Sequence, residues 1–194
     1  MTPGPAKQFD RDEVLGRALN LFWDKGYEAV GVSELLDHMQ IGRQSMYDTF
    51  GNKRDLFLQA LGAYEQQQIA TVRAMLSAPG SPLGNIGKVF DFWEQMVMQG
   101  KGCLVGNSSA ELGPQDPAIS RMLCQGTKAV RGAFRDALAR ARTAGEIDAD
   151  LDPDEVADLI VTTGQGAALL SQVPGNMELV FSGWRGLKRV LNLT

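Results

Sequence analysis

Residues 22–57 read FWDKGYEAVGVSELLDHMQIGRQSMYDTFGNKRDLF, and this stretch decides the fold. Val32, Leu35, Leu36 and Met39 recur at the spacing of one helix face, which predicts a short helix over 32–39. A break at 40–42 separates it from a second short helix over 43–50, which ends at a glycine. Two short helices joined by a three-residue turn form a helix-turn-helix pattern. On periodicity alone the pattern is weak, because any helical bundle contains short helix pairs.

Helix signals continue on both sides of this stretch. Asp10 is a typical N-cap for a helix that ends at Gly26, and Asn52 can cap a long helix from Lys53. Convincing alternation of apolar and polar residues is absent, so the sequence predicts an all-α fold. Further helices are predicted at about 83–99, within 100–114, over 117–145 and 153–172, and after the break at 174–176.

The predicted organisation has three parts. We expect residues 1–8 to form a flexible N-terminal arm and residues 9–62 to form a three-helix, helix-turn-helix domain. We expect residues 63–194 to form a second, all-helical domain.

Composition excludes several classes of protein. The chain has 194 residues, of which 44% are hydrophobic, so it can form a substantial core. No apolar run is long enough for a transmembrane helix, and the N-terminus has no signal-peptide core, so we expect a cytoplasmic protein without membrane contact. Two cysteines and the single His38 argue against a disulfide framework, a metal site and a catalytic cluster. We therefore expect no cofactor and no enzymatic activity.

Residues 22–57 resemble the DNA-binding domain of the TetR family of bacterial transcription regulators. The sequence departs from the family pattern at 30–31, at 39–40 and at Gly42, which puts the phosphate contacts at residues 31 and 42 in question. The resemblance implies a dimeric, ligand-responsive regulator of double-stranded DNA, most simply a repressor that leaves a palindromic operator when a small molecule binds. It assigns DNA binding to residues 9–62, and ligand sensing and dimerisation to residues 63–194. The alternative is an all-helical ligand-binding protein or enzyme that does not bind DNA. The residues that carry it are Phe22, Gly26, Tyr27, Val32, Leu35, Ile41, Tyr47, Phe50 and Lys53.

The candidate DNA contacts lie around the second short helix. Arg can bind guanine and Gln can bind adenine through two hydrogen bonds each, while hydroxyls, lysines and helix N-termini suit phosphates. Asp48 is unexpected on such a surface: it either accepts from a cytosine amino group or points away. The alternative is an ordinary solvated surface, with Tyr47 packed in the core. The candidates are Ser33, Gly42, Arg43, Gln44, Ser45, Tyr47 and Lys53.

The last two helices are the candidate dimer interface, because the resemblance implies dimerisation there and small residues let helices approach closely. The alternative is that the same side chains form the core of one chain. The candidates are Gly164, Ala167, Ala168 and Ser171 on one helix and Trp184, Leu187 and Val190 on the other.

A group of residues rich in aromatic and methionine side chains is the candidate site for an uncharged or hydrophobic effector. Plain core packing is the alternative. Cys103 lies at a predicted helix start, which would lower the pKa of its thiol and favour a redox or electrophile switch; the alternative is a small packed residue. The candidates are Phe90, Trp93, Met96, Cys103, Leu104, Asn107, Met122 and Phe134.

Overall fold

The computed structural model describes residues 9–193, and every helix or strand within that range is an α-helix. The all-α prediction is confirmed, whereas the predicted arm at 1–8 lies outside the described residues. The helices are α1 (Arg11–Lys25), α2 (Val32–Met39), α3 (Arg43–Phe50), α4 (Lys53–Leu76), α5 (Pro82–Met98), α6 (Leu104–Glu111), α7 (Pro117–Thr143), α8 (Pro153–Leu170) and α9 (Met177–Val190).

The chain divides into two compact units, Met1–Tyr64 and Glu65–Thr194. The division falls within α4. The sequence places the boundary between residues 62 and 63. Each unit has its own buried residues and is described separately below.

Side-chain caps begin the helices where the sequence predicts them. The Asp10 carboxylate accepts from the backbone N–H groups of Asp12 and Glu13, at 2.8 and 3.3 Å. Asp116 and Asp152 do the same for α7 and α8, each followed by a proline at the first helical position. Ser81 and Pro82 repeat this signal, and α5 therefore begins at Pro82, one residue before the predicted start.

A reciprocal cap fixes the join between α3 and α4. Asn52 Oδ1 accepts from the Asp55 N–H at 3.0 Å, and Asp55 Oδ2 accepts from the Asn52 N–H at 3.1 Å. Gly51 precedes them with a φ of 82°, a conformation that L side chains rarely adopt. A Cβ at residue 51 would stand 2.6 Å from Asp55 Oδ2, so this turn needs glycine.

The core of the first unit is aromatic at its centre. Phe22 packs edge-on against Phe57 with ring centroids 5.0 Å apart, and Tyr27 lies 4.9 Å from the Phe57 ring. Leu35 and Met46 are fully buried, so α2 and α3 both point their apolar side chains inward. This core holds the polar side of α3 on the outside of the unit.

The core of the second unit is formed by the end of α4 together with α5, α7, α8 and α9. Its largest fully buried side chains include Trp184, Phe90 and Phe134. Trp93 packs against two of them, with its ring 5.3 Å from Phe134 and 6.0 Å from Trp184. Phe90, Trp93, Phe134 and Trp184 are called the aromatic cluster from here on.

Glu65 is a buried acid in the second unit. It is 8% exposed, and its Oε1 has no hydrogen-bond partner among the described residues. Burial raises the pKa of the Glu65 carboxyl, because the charged form loses its hydration. Gly126 on α7 makes room for it, since a Cβ there would overlap the carboxylate oxygen.

We expect Glu65→Gln to raise the free energy of unfolding by roughly 1–2 kcal/mol at pH 7, because an unpaired buried charge is removed. A carboxyl whose pKa is raised in the folded state favours folding fully below its ordinary pKa, and this contribution is lost as pH rises through the folded pKa. The gain from the substitution should therefore vanish near pH 4. Denaturant unfolding from pH 4 to 8 measures it. A gain of equal size at every pH would contradict the assignment to ionisation.

Candidate functional site

The outward side of α3 is entirely polar. Arg43, Gln44, Tyr47 and Asp48 are exposed, with Tyr47 at 42%, whereas Met46 and Phe50 are buried. Residues 43, 44, 47 and 48 share one helix face, because residues four apart lie one turn apart. The structure therefore places the Tyr47 ring on the surface instead of in the core.

Asp48 has a specific partner on this face. The Gln44 side-chain amide donates from Nε2 to Asp48 Oδ1 at 2.8 Å, one helical turn away. In the free chain Asp48 thus points along α3 to Gln44. The i, i+4 spacing was the available signal for this pair, and the sequence interpretation missed it.

The other candidate DNA contacts surround α3. Ser33 lies exposed in the first turn of α2, and Gly42 is the exposed N-cap of α3. Ser45 is half-buried. Lys53, in the first turn of α4, holds its ammonium 4.3 Å from the centre of the Tyr27 ring, a cation–π contact that the sequence did not predict.

Ion pairs neutralise part of the acidic charge in this unit. Glu34 pairs with Lys25, and the hydrogen bond from that lysine lowers the pKa of the Glu34 carboxyl. Glu13 pairs with Arg17 at 2.7 Å. Arg43 forms no ion pair within residues 9–193, so its guanidinium is available for an external anion or base edge.

Several candidate effector residues come together in the second unit. Phe90, Trp93 and Phe134 belong to the aromatic cluster, in which the Phe90 and Trp184 rings lie 5.3 Å apart. Leu104 is buried at the start of α6, and Met96 and Met122 are half-buried. Met96, Leu104 and Met122 are not among the residues that form or pack on the core around the aromatic cluster.

Two glutamines that the sequence interpretation missed contact α6, Gln165 from α8 and Gln172 from just after its end. Cys103 is the half-buried N-cap of α6, and Gln165 Nε2 lies 4.0 Å from its sulfur. Gln172 Nε2 donates to Asn107 Oδ1 at 2.9 Å. Only the pairing of α6 with α8 in space reveals these contacts, because the partners are more than sixty residues apart.

Most of the predicted dimer residues pack inside one chain. Trp184 has no exposed surface, and Leu187, Ala167 and Ala168 are also buried in the core of one chain. A Cβ at Gly164 would stand 2.9 Å from the Trp93 ring, so this glycine serves packing within the chain. These five residues pack within one chain, the alternative that the sequence left open, whereas Val190 is 45% exposed and Ser171 is half-buried.

A different side of α8 and α9 faces outward. On α8 and just after it, Leu159, Leu169 and Val173 are 43%, 53% and 52% exposed. On α9, Leu179 is 60% exposed, and Val190 lies on the same side three turns later. Cβ atoms added at Gly166, Gly183 and Gly186 would meet nothing within 4 Å. We call these eight residues the outer α8–α9 face.

Between residues 9 and 193, no three His, Cys, Asp or Glu side chains are grouped so that they could hold a metal ion. Within the same range, every helix is too short or too polar to cross a membrane.

The polar face of α3 lies on the surface of a helix-turn-helix unit, which is the arrangement of a DNA-binding regulator. Comparison with protein families agrees. Residues 14–60 match the family described as bacterial regulatory proteins, tetR family, and residues 82–186 match the tetracyclin repressor-like C-terminal domain. The chain belongs to the TetR family of transcription regulators, and its relatives are regulators, not enzymes.

Individual relatives match along most of their length. The chain is 35% identical to the HTH-type transcriptional regulator YezE of Bacillus subtilis over 179 residues, 90% of this chain and 92% of YezE. It is 30% identical to the transcriptional regulator AcuR of Cereibacter sphaeroides over 177 residues, 87% of this chain and 79% of AcuR. A solved structure of the regulator CifR, a cysteine mutant bound to a 26-bp operator, is 28% identical, with a TM-score of 0.75 over 92% of this chain and 97% of that one.

Proposed function

We infer that the chain is a repressor that binds a near-palindromic operator as a homodimer and releases it when a small molecule binds the second unit. The observation that carries this inference is the exposed polar face of α3 in a chain of the TetR family. Arg43 and Gln44 suit base edges, while Tyr47, Lys53, Ser33, Ser45 and the N–H groups next to Gly42 suit phosphates. The relatives DhaR and ComR are named as repressors. Such a regulator works in the cytoplasm, where bacterial DNA lies.

Selection of bound sequences from random DNA tests this function. We expect an enriched near-palindrome whose half-sites are centred about 34–36 Å apart, one helical turn of DNA, because two recognition helices then read successive major grooves. Enrichment of a single unrepeated half-site would contradict dimeric recognition, and no enrichment would contradict sequence-specific binding.

The outer α8–α9 face is the proposed dimer interface. Its leucines and valines are exposed in one chain, and its open glycines allow a second helix pair to approach closely. An exposed apolar surface of this kind marks an interaction site. Two copies of the same face meet across a two-fold axis, the arrangement expected for a homodimer.

We expect Leu179→Glu to raise the dimer dissociation constant at least about 100-fold, because the substitution buries two unpaired carboxylates across the two-fold axis. Sedimentation equilibrium measures this constant. Met98→Glu is the matched control, since Met98 is 67% exposed but lies at the end of α5 and is not part of the outer α8–α9 face. Equal dimerisation of the Leu179 variant and the control would place the interface elsewhere.

A thiol switch at Cys103 is the second candidate for the mode of sensing. Cys103 is half-buried at the start of α6, next to the Gln165 amide. The test adds an oxidant or an electrophile to the operator complex. If this releases the operator from the wild type and from Cys124→Ser but not from Cys103→Ser, the result supports the switch. Cys124 is a suitable control because it is exposed on α7. An unchanged response in Cys103→Ser excludes the thiol switch and leaves reversible effector binding as the mode of sensing.

A further inference from the structure

The two ends of α3 are held in different ways. At the C-terminal end, the Gln59 side chain donates from Nε2 to the carbonyl of Phe50, the last residue of α3, at 2.8 Å. At the N-terminal end, the N-cap is Gly42, which has no side chain to accept a hydrogen bond from the helix. This end carries Arg43 and Gln44. The position of these two residues therefore depends on the turn that precedes α3.

The turn before α3 contains a strained residue. Gln40 has a φ of 57° and a ψ of 41°, the left-handed conformation that residues other than glycine rarely adopt. Among the non-glycine residues from 9 to 193, Gln40 and Asn192 alone have a positive φ. Such a conformation persists only where surrounding contacts hold it. Gln40 is exposed, so burial of its own side chain does not supply those contacts.

Arg17 on α1 supplies contacts of this kind. Its Nη1 donates to the backbone carbonyl of Met39 at 3.2 Å and to Oε1 of Gln40 at 3.1 Å. Its Nη2 donates to Glu13, one turn earlier on α1, at 2.7 Å, which directs the guanidinium toward the turn. Met39 is the last residue of α2 and is fully buried. One side chain thus joins α1 to the end of α2 and to the strained residue that follows it.

We propose that Arg17 is a positioning residue for DNA recognition: it holds the turn before α3 and thereby orients Arg43 and Gln44 toward the base edges. This inference rests on the proposed function and deepens it, because it adds a determinant of specificity outside α3. Without Arg17 the strained turn relaxes and the start of α3 shifts. Contacts to base edges depend on exact geometry, so they weaken more than contacts to phosphates.

Arg17→Met in the full-length protein tests the proposal, because it removes the donors and keeps an unbranched stem. We expect operator affinity to fall about tenfold or more, since both halves of the dimer are affected, while affinity for random DNA changes by less than about twofold. Fluorescence anisotropy with the selected operator and with random DNA measures both affinities. An equal loss on the two DNAs, with a less steep salt dependence, would assign Arg17 to a phosphate and overturn the proposal.

Substitutions at residue 40 separate positioning from a general loss of stability. Glycine adopts a positive φ readily, so a glycine there no longer needs Arg17. The double variant Arg17→Met/Gln40→Gly should therefore regain operator affinity to within about threefold of the wild type. Gln40→Leu keeps the strain and loses the acceptor, so it should weaken operator binding, whereas Gln40→Gly should not. No recovery in the double variant, or equal binding by the two single variants at residue 40, would overturn the proposal; the second comparison decides it even if Arg17→Met fails to fold.

Lys25→Met is the matched control, because it removes another cation of α1 that contacts α2. Lys25 pairs with Glu34 in the first turn of α2, at the opposite end of that helix from Met39. We expect this variant to bind the operator within about threefold of the wild type, the range of an exposed ion pair. A loss as large as that of Arg17→Met would mean that any contact between α1 and α2 has this effect, and it would overturn the proposal.

Hydrogen exchange of the free protein provides a test without DNA. The Ile41 N–H donates to the Leu36 carbonyl at 3.3 Å, and the Met46 N–H donates to the Gly42 carbonyl at 3.0 Å. Both amides should exchange faster in Arg17→Met and return to the wild-type rate in the double variant. Unchanged exchange would overturn the proposal. If exchange changes as expected but the wild type never distinguishes an operator from random DNA, the proposed function is wrong and the hold of Arg17 on the turn stands.

Discussion

Arg43→Ala should lower operator affinity by about 30-fold to 20,000-fold. A two-pronged contact between arginine and guanine contributes about 1–3 kcal/mol of discrimination, and a dimer makes the contact twice. Arg43 is exposed at the first position of α3, where a recognition helix meets the base edges. Fluorescence anisotropy with the selected operator measures the loss at a stated salt concentration.

The effect of Arg43→Ala should also depend on sequence. The variant should lose its preference for guanine at one position of each half-site. Arg142→Ala is the matched control, because it removes an exposed arginine from the last turn of α7 in the second unit. A loss below threefold, or an equal loss with Arg142→Ala, would contradict a base contact by Arg43.

Lys53→Gln should behave differently, because a phosphate contact carries no sequence information. We expect weaker binding to all DNA sequences. The slope of log K against the logarithm of the salt concentration should become less steep by about two for the dimer. The substitution also removes the cation–π contact with Tyr27, so circular dichroism must first show an intact first unit. An unchanged salt dependence would exclude Lys53 as a phosphate contact.

Trp184→Ala should lower the free energy of unfolding by about 3–5 kcal/mol, the cost of replacing a fully buried aromatic side chain. Trp184 has no exposed surface and packs against Phe90 and Trp93 in the aromatic cluster. Denaturant unfolding followed by circular dichroism measures the loss. Trp23→Ala should cost less, because Trp23 in the first unit is only half-buried.

This prediction also decides between the two roles considered for Trp184. A dimer-interface tryptophan would, when removed, weaken the dimer and leave the unfolding of one chain nearly unchanged. A core tryptophan destabilises the unit at any protein concentration. A loss under 1 kcal/mol together with dissociation of the dimer would restore the interface role.

The sequence predicts the helices well because their ends carry local signals. Asp10, Asp116 and Asp152 accept hydrogen bonds from residues two and three positions away. The neighbouring sequence is therefore enough to predict where these helices begin. The position of α3 between Gly42 and Gly51 follows in the same way. These signals determine the all-α class and the order of the helices.

The faces of α8 could not be predicted, because small residues occur on both sides of it. Gly164 and Ala168 lie toward the core, whereas Gly166 lies open. Only the positions of Trp93 and Trp184 show which side is inner, and these lie on other helices. The Lys53–Tyr27 contact and the Gln165–Cys103 contact depend on long-range packing in the same way.

The most direct test of the account is a gel shift with the selected operator, comparing the wild-type protein with Tyr47→Ala at about 0.15 M salt. Tyr47 is 42% exposed on the polar face of α3, so its loss should leave the fold intact. We predict a sequence-specific band for the wild-type dimer that a folded Tyr47→Ala dimer does not give. An identical band for the variant would contradict the assignment of this face to DNA, and a folded wild-type dimer that never distinguishes its operator from random DNA would contradict the account itself.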